Sequence, residues 1–112
     1  MTELDRHLKE LEKADVVAFG GVGFAGQILP VTKAYDAVAR QLSEAVRPKL
    51  ERLVERATPA GKVYAATLLD RLDPAAGEAA WQRLARDRSG VNTFTGCIKA
   101  HTTLAEYASR PR

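Results

Sequence analysis

Prolines at positions 30, 48, 59 and 74 cut this chain into short stretches, and each stands where a helix can begin. Proline lacks an N–H and holds φ near about −65°, so it suits the first turn of a helix and breaks one anywhere later. Two of the four junctions, Thr58-Pro59 and Asp73-Pro74, also put a capping side chain immediately before the proline. Such punctuation excludes one long rod and points to several short helices joined by tight turns.

Between these marks apolar residues recur at helical spacing. Thr2 reads as an N-cap, with Glu3 and Asp5 in the first turn and Leu4, Leu8 and Leu11 forming a stripe through about residue 14. Pro30 opens a helix whose apolar face is Ala34, Tyr35, Val38, Leu42 and Val46. Pro48 ends that run and restarts another, with Leu50, Leu53, Val54 and Ala57 inward and Lys49, Arg52 and Arg56 outward. Pro59 to Leu72 carries Tyr64, Ala65, Leu68, Leu69 and Leu72; Pro74 to about Asp87 carries Ala76, Ala80, Trp81, Leu84 and Ala85. Joined through Asp73, these two read as an αα-hairpin. A short last helix is predicted from Thr102 or Thr103 to Ala108, with fraying from Ser109 to Arg112. At 112 residues and 46% hydrophobic content but only 6% aromatic, residues 1–112 fit a single helical domain packed on Leu, Val and Ala.

Two segments resist this pattern. From Asp15 to Gln27, Val17, Gly21, Phe24 and Ile28 share a helical face, which predicts a helix packed closely against a neighbour. Yet Gly20, Gly21, Gly23 and Gly26 each cost about 1 kcal/mol in a helix relative to Ala. The opening Val16 to Phe19 reads equally as a short strand. Farther on, Ser89, Gly90, Asn92, Thr93, Thr95 and Gly96 are loop chemistry, interrupted by Val91, Phe94, Cys97 and Ile98, which predicts a loop that packs down.

The fold expected is all-α, a short antiparallel stack of about six helices in the manner of HEAT or armadillo αα-hairpins. The run from Thr58-Pro-Ala-Gly-Lys-Val-Tyr-Ala-Ala to Leu72-Asp-Pro, then Gly96-Cys97, resembles small uncharacterised bacterial proteins with HEAT-like helical repeats. So does Val17-Ala-Phe-Gly-Gly-Val-Gly-Phe-Ala-Gly26. The resemblance covers most of the chain and implies a helical fold, without an activity.

Several function classes are disfavoured. Seventeen basic residues are interleaved with fourteen acidic ones and form no block, so nucleic acid is not the expected partner. Met1 to Lys13 is charged throughout and unlike a secretory signal, and the apolar stretch Val16 to Leu29 is shorter than the roughly 20 residues a bilayer span needs. With Cys97 the single cysteine, no intramolecular disulfide forms, which suits a reducing cytoplasm.

Candidate chemistry is sparse. Gly21-Val22-Gly23-Phe24-Ala25-Gly26 matches a G-x-G-x-x-G string, but no βαβ context surrounds it, and close backbone packing against a helix is the expected use. Gly61-Lys62 lacks the rest of a phosphate loop, since position 56 is Arg and position 63 is Val. Cys97 and His101, four apart, would share one side of a helix, where an imidazole can activate a thiol. Thr93 and Thr95 stand nearby. Zinc needs at least three protein ligands and only His7 remains as a soft candidate, so neither metal nor cofactor is expected. His7 edges the first apolar stripe, Tyr64 and Trp81 read as core anchors, and Asp73 is explained by its cap. Lys49, Arg52 and Arg56 form a stripe that an acidic protein surface would suit. The expectation is a non-enzymatic protein–protein interaction module, able to homodimerise to cover its end helices. The alternative is a small-ligand binder or enzyme with its site at residues 88–101, around Cys97, His101 and Thr93 or Thr95.

Overall fold

The helices begin where the prolines and caps predict them. In the computed structural model, which describes residues 2–111, α1 is Glu3–Glu12, α2 Pro30–Ala39, α3 Arg47–Arg56, α4 Pro59–Leu72, α5 Pro74–Leu84 and α6 Leu104–Ala108. Thr2 caps α1 by accepting the Asp5 N–H at 3.1 Å, and Asp5 reaches back to the Thr2 N–H. Thr58, Asp73 and Thr103 cap α4, α5 and α6 through their side chains. The helix predicted through Val46 stops at Ala39, and Val46 enters the core from a 3₁₀ turn at Glu44–Val46 instead. At the other end, Ser109 and Arg110 are tied back to α6, with the Arg110 N–H donating to the Tyr107 carbonyl at 3.3 Å. Of the stretch predicted to fray, Arg112 lies outside the described residues.

Helix α4 is the centre of the core. Val63, Tyr64, Ala65, Ala66 and Leu68 have no exposed surface, because α3, α5 and α1 all pack on it. Small residues set the spacing. A Cβ on Gly61 would collide with the Leu11 carbonyl and lie 2.8 Å from the Ala57 Cβ, and one on Gly77 would run into the backbone of Asp70. Thr58 fixes the same junction from outside, its N–H donating to the Glu12 carbonyl at 2.9 Å and its hydroxyl to that of Ala14.

Two expectations are corrected. The chain is predominantly helical but not all-α: β1 (Gly90–Thr95) and β2 (Ile98–Thr103) form an antiparallel hairpin where a loop was predicted. Their register runs from Gly90 opposite Thr103 to Thr95 opposite Ile98, closed by the two-residue turn Gly96-Cys97. Gly96 has φ +58 and Cys97 a negative φ, the pattern of a type II′ turn. The second correction concerns residues 15–27, which form no helix. Val17 pairs parallel to Thr93, its N–H donating to the Asn92 carbonyl at 2.8 Å and its carbonyl accepting from Phe94 at 2.9 Å. The strand alternative for Val16 to Phe19 is thus the one realised, as a single bridge onto β1.

The reason lies partly in α4. The Tyr64 hydroxyl accepts the Ala18 N–H at 2.7 Å and has the Val16 and Ala18 carbonyls at 3.1 Å, clamping the segment extended. Phe19 then packs edge-on to Tyr35 and Tyr64 at 5.1 and 5.2 Å between ring centres. Desolvation pushes the Tyr64 hydroxyl up to about 12, so it remains a neutral hydrogen-bonding group across the physiological range.

Ion pairs also tie the elements of the bundle together. Lys49 of α3 reaches Asp5 of α1 at 2.7 Å, and that bond with the Thr2 cap lowers the Asp5 carboxyl from 3.8 to about 2. A depressed carboxylate stabilises the fold above its unfolded value and loses that contribution as pH falls through its folded value. Asp73 and Asp87 are lowered too, by Arg47 and by Ser89 respectively. We therefore expect the urea midpoint to fall between about pH 4 and pH 2, with Asp5→Asn flattening part of that slope. No helix among the described residues is long and apolar enough to cross a membrane.

Candidate functional site

Two turns meet at one end of the molecule. Val22 and Gln27 exchange backbone hydrogen bonds at 2.8 Å and close a four-residue loop, with the Gly26 N–H donating to the Gly23 carbonyl at 3.1 Å. Gly23 (φ +75) and Gly26 (φ +64) supply the left-handed backbone this loop needs. Gly21 is required for another reason, since a Cβ there would lie 2.7 Å from the Gly26 carbonyl oxygen. The glycine string therefore closes a turn; the packing against a helix expected of it does not occur. The Gly23 N–H donates to the Gly96 carbonyl at 2.8 Å, which sets this loop beside the hairpin tip.

The side chains at this end are apolar and exposed. Phe24 is fully exposed, Ile98 is 71% exposed, and Phe19 and Ile28 are each 40% exposed. Lys99 lies over the Phe94 ring at 5.2 Å from its centre. No acidic residue falls in 16–35 or in 88–105, which contain Lys33, Arg88 and Lys99, and Asp15 lines a groove with Phe94 and Lys99. The end with the two turns is consequently apolar, with Lys99 the cation beside the hairpin turn.

Cys97 occupies the hairpin tip as a free, exposed thiol. The helix that would have set it beside His101 is a strand, and four residues of strand span about 13 Å at roughly 3.3 Å each. His101 turns elsewhere: its Nδ1 is 2.8 Å from the Asn92 Oδ1, and its ring lies so close over Gly90 that a Cβ there would meet it at 2.7 Å. The pair is not brought together. We expect Cys97→Ser to change stability by less than about 0.5 kcal/mol, as exposed substitutions do, in a thermal melt. Among the described residues no three His, Cys, Asp or Glu side chains are grouped to hold a metal. His7 is half-buried on α1.

The basic stripe is divided. Lys49 is engaged by Asp5, whereas Arg52 lines a shallow groove between α1 and α3 beside Glu12. Arg56 is exposed at the end of α3. Tyr64 and Trp81 are the core anchors expected of them, at 0% and 4% exposure.

Thr93 and Thr95 share a wall of a cleft of about 440 Å3 that the sequence reading missed. Its other walls are the 17–22 segment and the end of α6, with Tyr107 and Arg110. Tyr107 stacks on Trp81 at 6.1 Å, Arg110 stands over the Tyr107 ring at 5.5 Å, and burial raises the Tyr107 hydroxyl above its ordinary value. Fraying predicted for 109–112 concealed Arg110. No protein-family model, no curated protein and no solved structure matches this chain.

Proposed function

We propose that the protein is a non-enzymatic interaction module that presents the paired turns, led by Phe24 and Ile98, to a protein partner with an apolar pocket rimmed by carboxylates. The observation that carries this reading is Phe24, an aromatic side chain fully exposed at the tip of a loop held by left-handed glycines. The fold gains nothing from it, while burying such a side chain on docking is worth about 2 kcal/mol. Lys99, next to Ile98, supplies the charge complementarity. Helices α3, α4 and α5, packed in chain order, act in this reading as a short HEAT-like scaffold behind the turns. An exposed unpaired thiol at Cys97 accords with a cytoplasmic setting.

A photo-crosslinking residue placed at Phe24, against one at the exposed Glu51 of α3, tests the reading in cells. An adduct formed from position 24 and not from 51 supports it, and an adduct of twice the chain's mass identifies the partner as a second copy. Adducts from position 51 alone, or from neither, overturn it.

A further inference from the structure

The cleft adjoins the exposed tip, sharing Val22 and Gly96 with the two turns, and has the volume of a ligand site. Its volume of about 440 Å3 falls within the roughly 300–1,000 Å3 of small-molecule pockets. Among the described residues Arg110 is the only charged side chain lining it, and it meets no carboxylate there. The exposed Arg110 guanidinium lies 5.5 Å from the centre of the Tyr107 ring, which is itself stacked on Trp81.

Gly20 is the second observation. Its φ is not in the left-handed range, and a Cβ built on it meets nothing within 4 Å, so neither backbone strain nor packing calls for glycine there. A glycine the fold does not require, on a cleft wall, leaves its backbone open to close approach. Gly20 and Gly21 are exposed, and their N–H groups make no hydrogen bond with any described residue, which leaves them open to solvent or a ligand. One guanidinium and two amides match a single carboxylate, whereas a polyphosphate would call for more cations.

We propose that the cleft binds a small organic carboxylate with an apolar body, the carboxylate at Arg110 and the Gly20–Gly21 amides and the body against Phe19 and Val22. The proposal does not depend on the interaction reading, because neither Phe24 nor Ile98 lines the cleft and no second protein is needed.

The test is an amide-resolved NMR titration of the full chain with 3-phenylpropionate, using neutral 3-phenylpropanamide as comparator. Saturable shifts centred on Gly20, Gly21, Gly96 and Arg110 are expected, with the acid at least about tenfold tighter than the amide, the size of a charge-assisted hydrogen-bond difference. Arg110→Gln should remove that preference and leave the melting temperature unchanged. Gly20→Val, for which the fold has room, should keep the melting temperature and weaken the acid several-fold. Equal affinity for acid and amide, shifts centred elsewhere, no saturable response, or a Gly20→Val chain that binds as tightly as the unaltered one would each overturn the assignment.

Discussion

Gly61→Ala is expected to lower the unfolding free energy by about 3 kcal/mol, the upper part of the range for overpacking a close-packed interior. The added methyl has no room, for the Leu11 carbonyl stands where it must go and the Ala57 methyl lies 2.8 Å away. Because the obstacle is largely backbone, relief requires α4 to shift from α1, and α4 carries the centre of the core. Elsewhere in a helix the same change would stabilise by up to about 1 kcal/mol, so the sign alone distinguishes close helix contact from simple helix propensity. Urea unfolding of the two chains, followed by circular dichroism, reads the difference.

Tyr64→Phe is expected to cost about 2 kcal/mol with little change in volume. The phenol oxygen is the acceptor for the buried Ala18 N–H, and its loss leaves that donor without its partner, a penalty of about 1–3 kcal/mol. The damage should be local first. Hydrogen exchange ought to rise at Ala18 and at the Val17 and Phe94 amides that bridge to β1, while the amides of α3 and α5 keep their protection until global unfolding. A uniform rise across α3, α4 and α5 would show that the hydroxyl serves the core as a whole and does not act as a clamp on residues 16–18.

Helix positions were legible because their signals are local. Thr58-Pro59 and Asp73-Pro74 announce their helices within two residues, and the apolar spacing of α4 and α5 needs no knowledge of partners. The 15–27 segment was illegible for the opposite reason. Its apolar residues do fall at helical spacing, but its conformation is set by Tyr64, 46 positions away from Ala18, and by β1 far down the chain. The hairpin leaves a trace within the loop chemistry of this stretch. Gly96-Cys97 is a Gly-X turn flanked by Thr93, Phe94, Thr95 and Ile98, residues that favour strands. Polar composition outweighed that pattern because the sheet has two strands and much of it is exposed. As for the site, Thr95, a candidate through its proximity to Cys97, lines the cleft, while Arg110 and Gly20 carry no motif that singles them out.

In the proposed function Phe24 and Ile98 are kept for a partner and not for the fold. Affinity capture with the immobilised chain from lysate of the source organism, beside a Phe24→Ser/Ile98→Ser copy matched in melting temperature, tests it most directly. A protein retained by the unaltered chain and lost from the double variant is the predicted result, since two exposed apolar side chains at an interface centre carry about 2 kcal/mol or more each. The same proteins retained by both, or none by either, would contradict the claim.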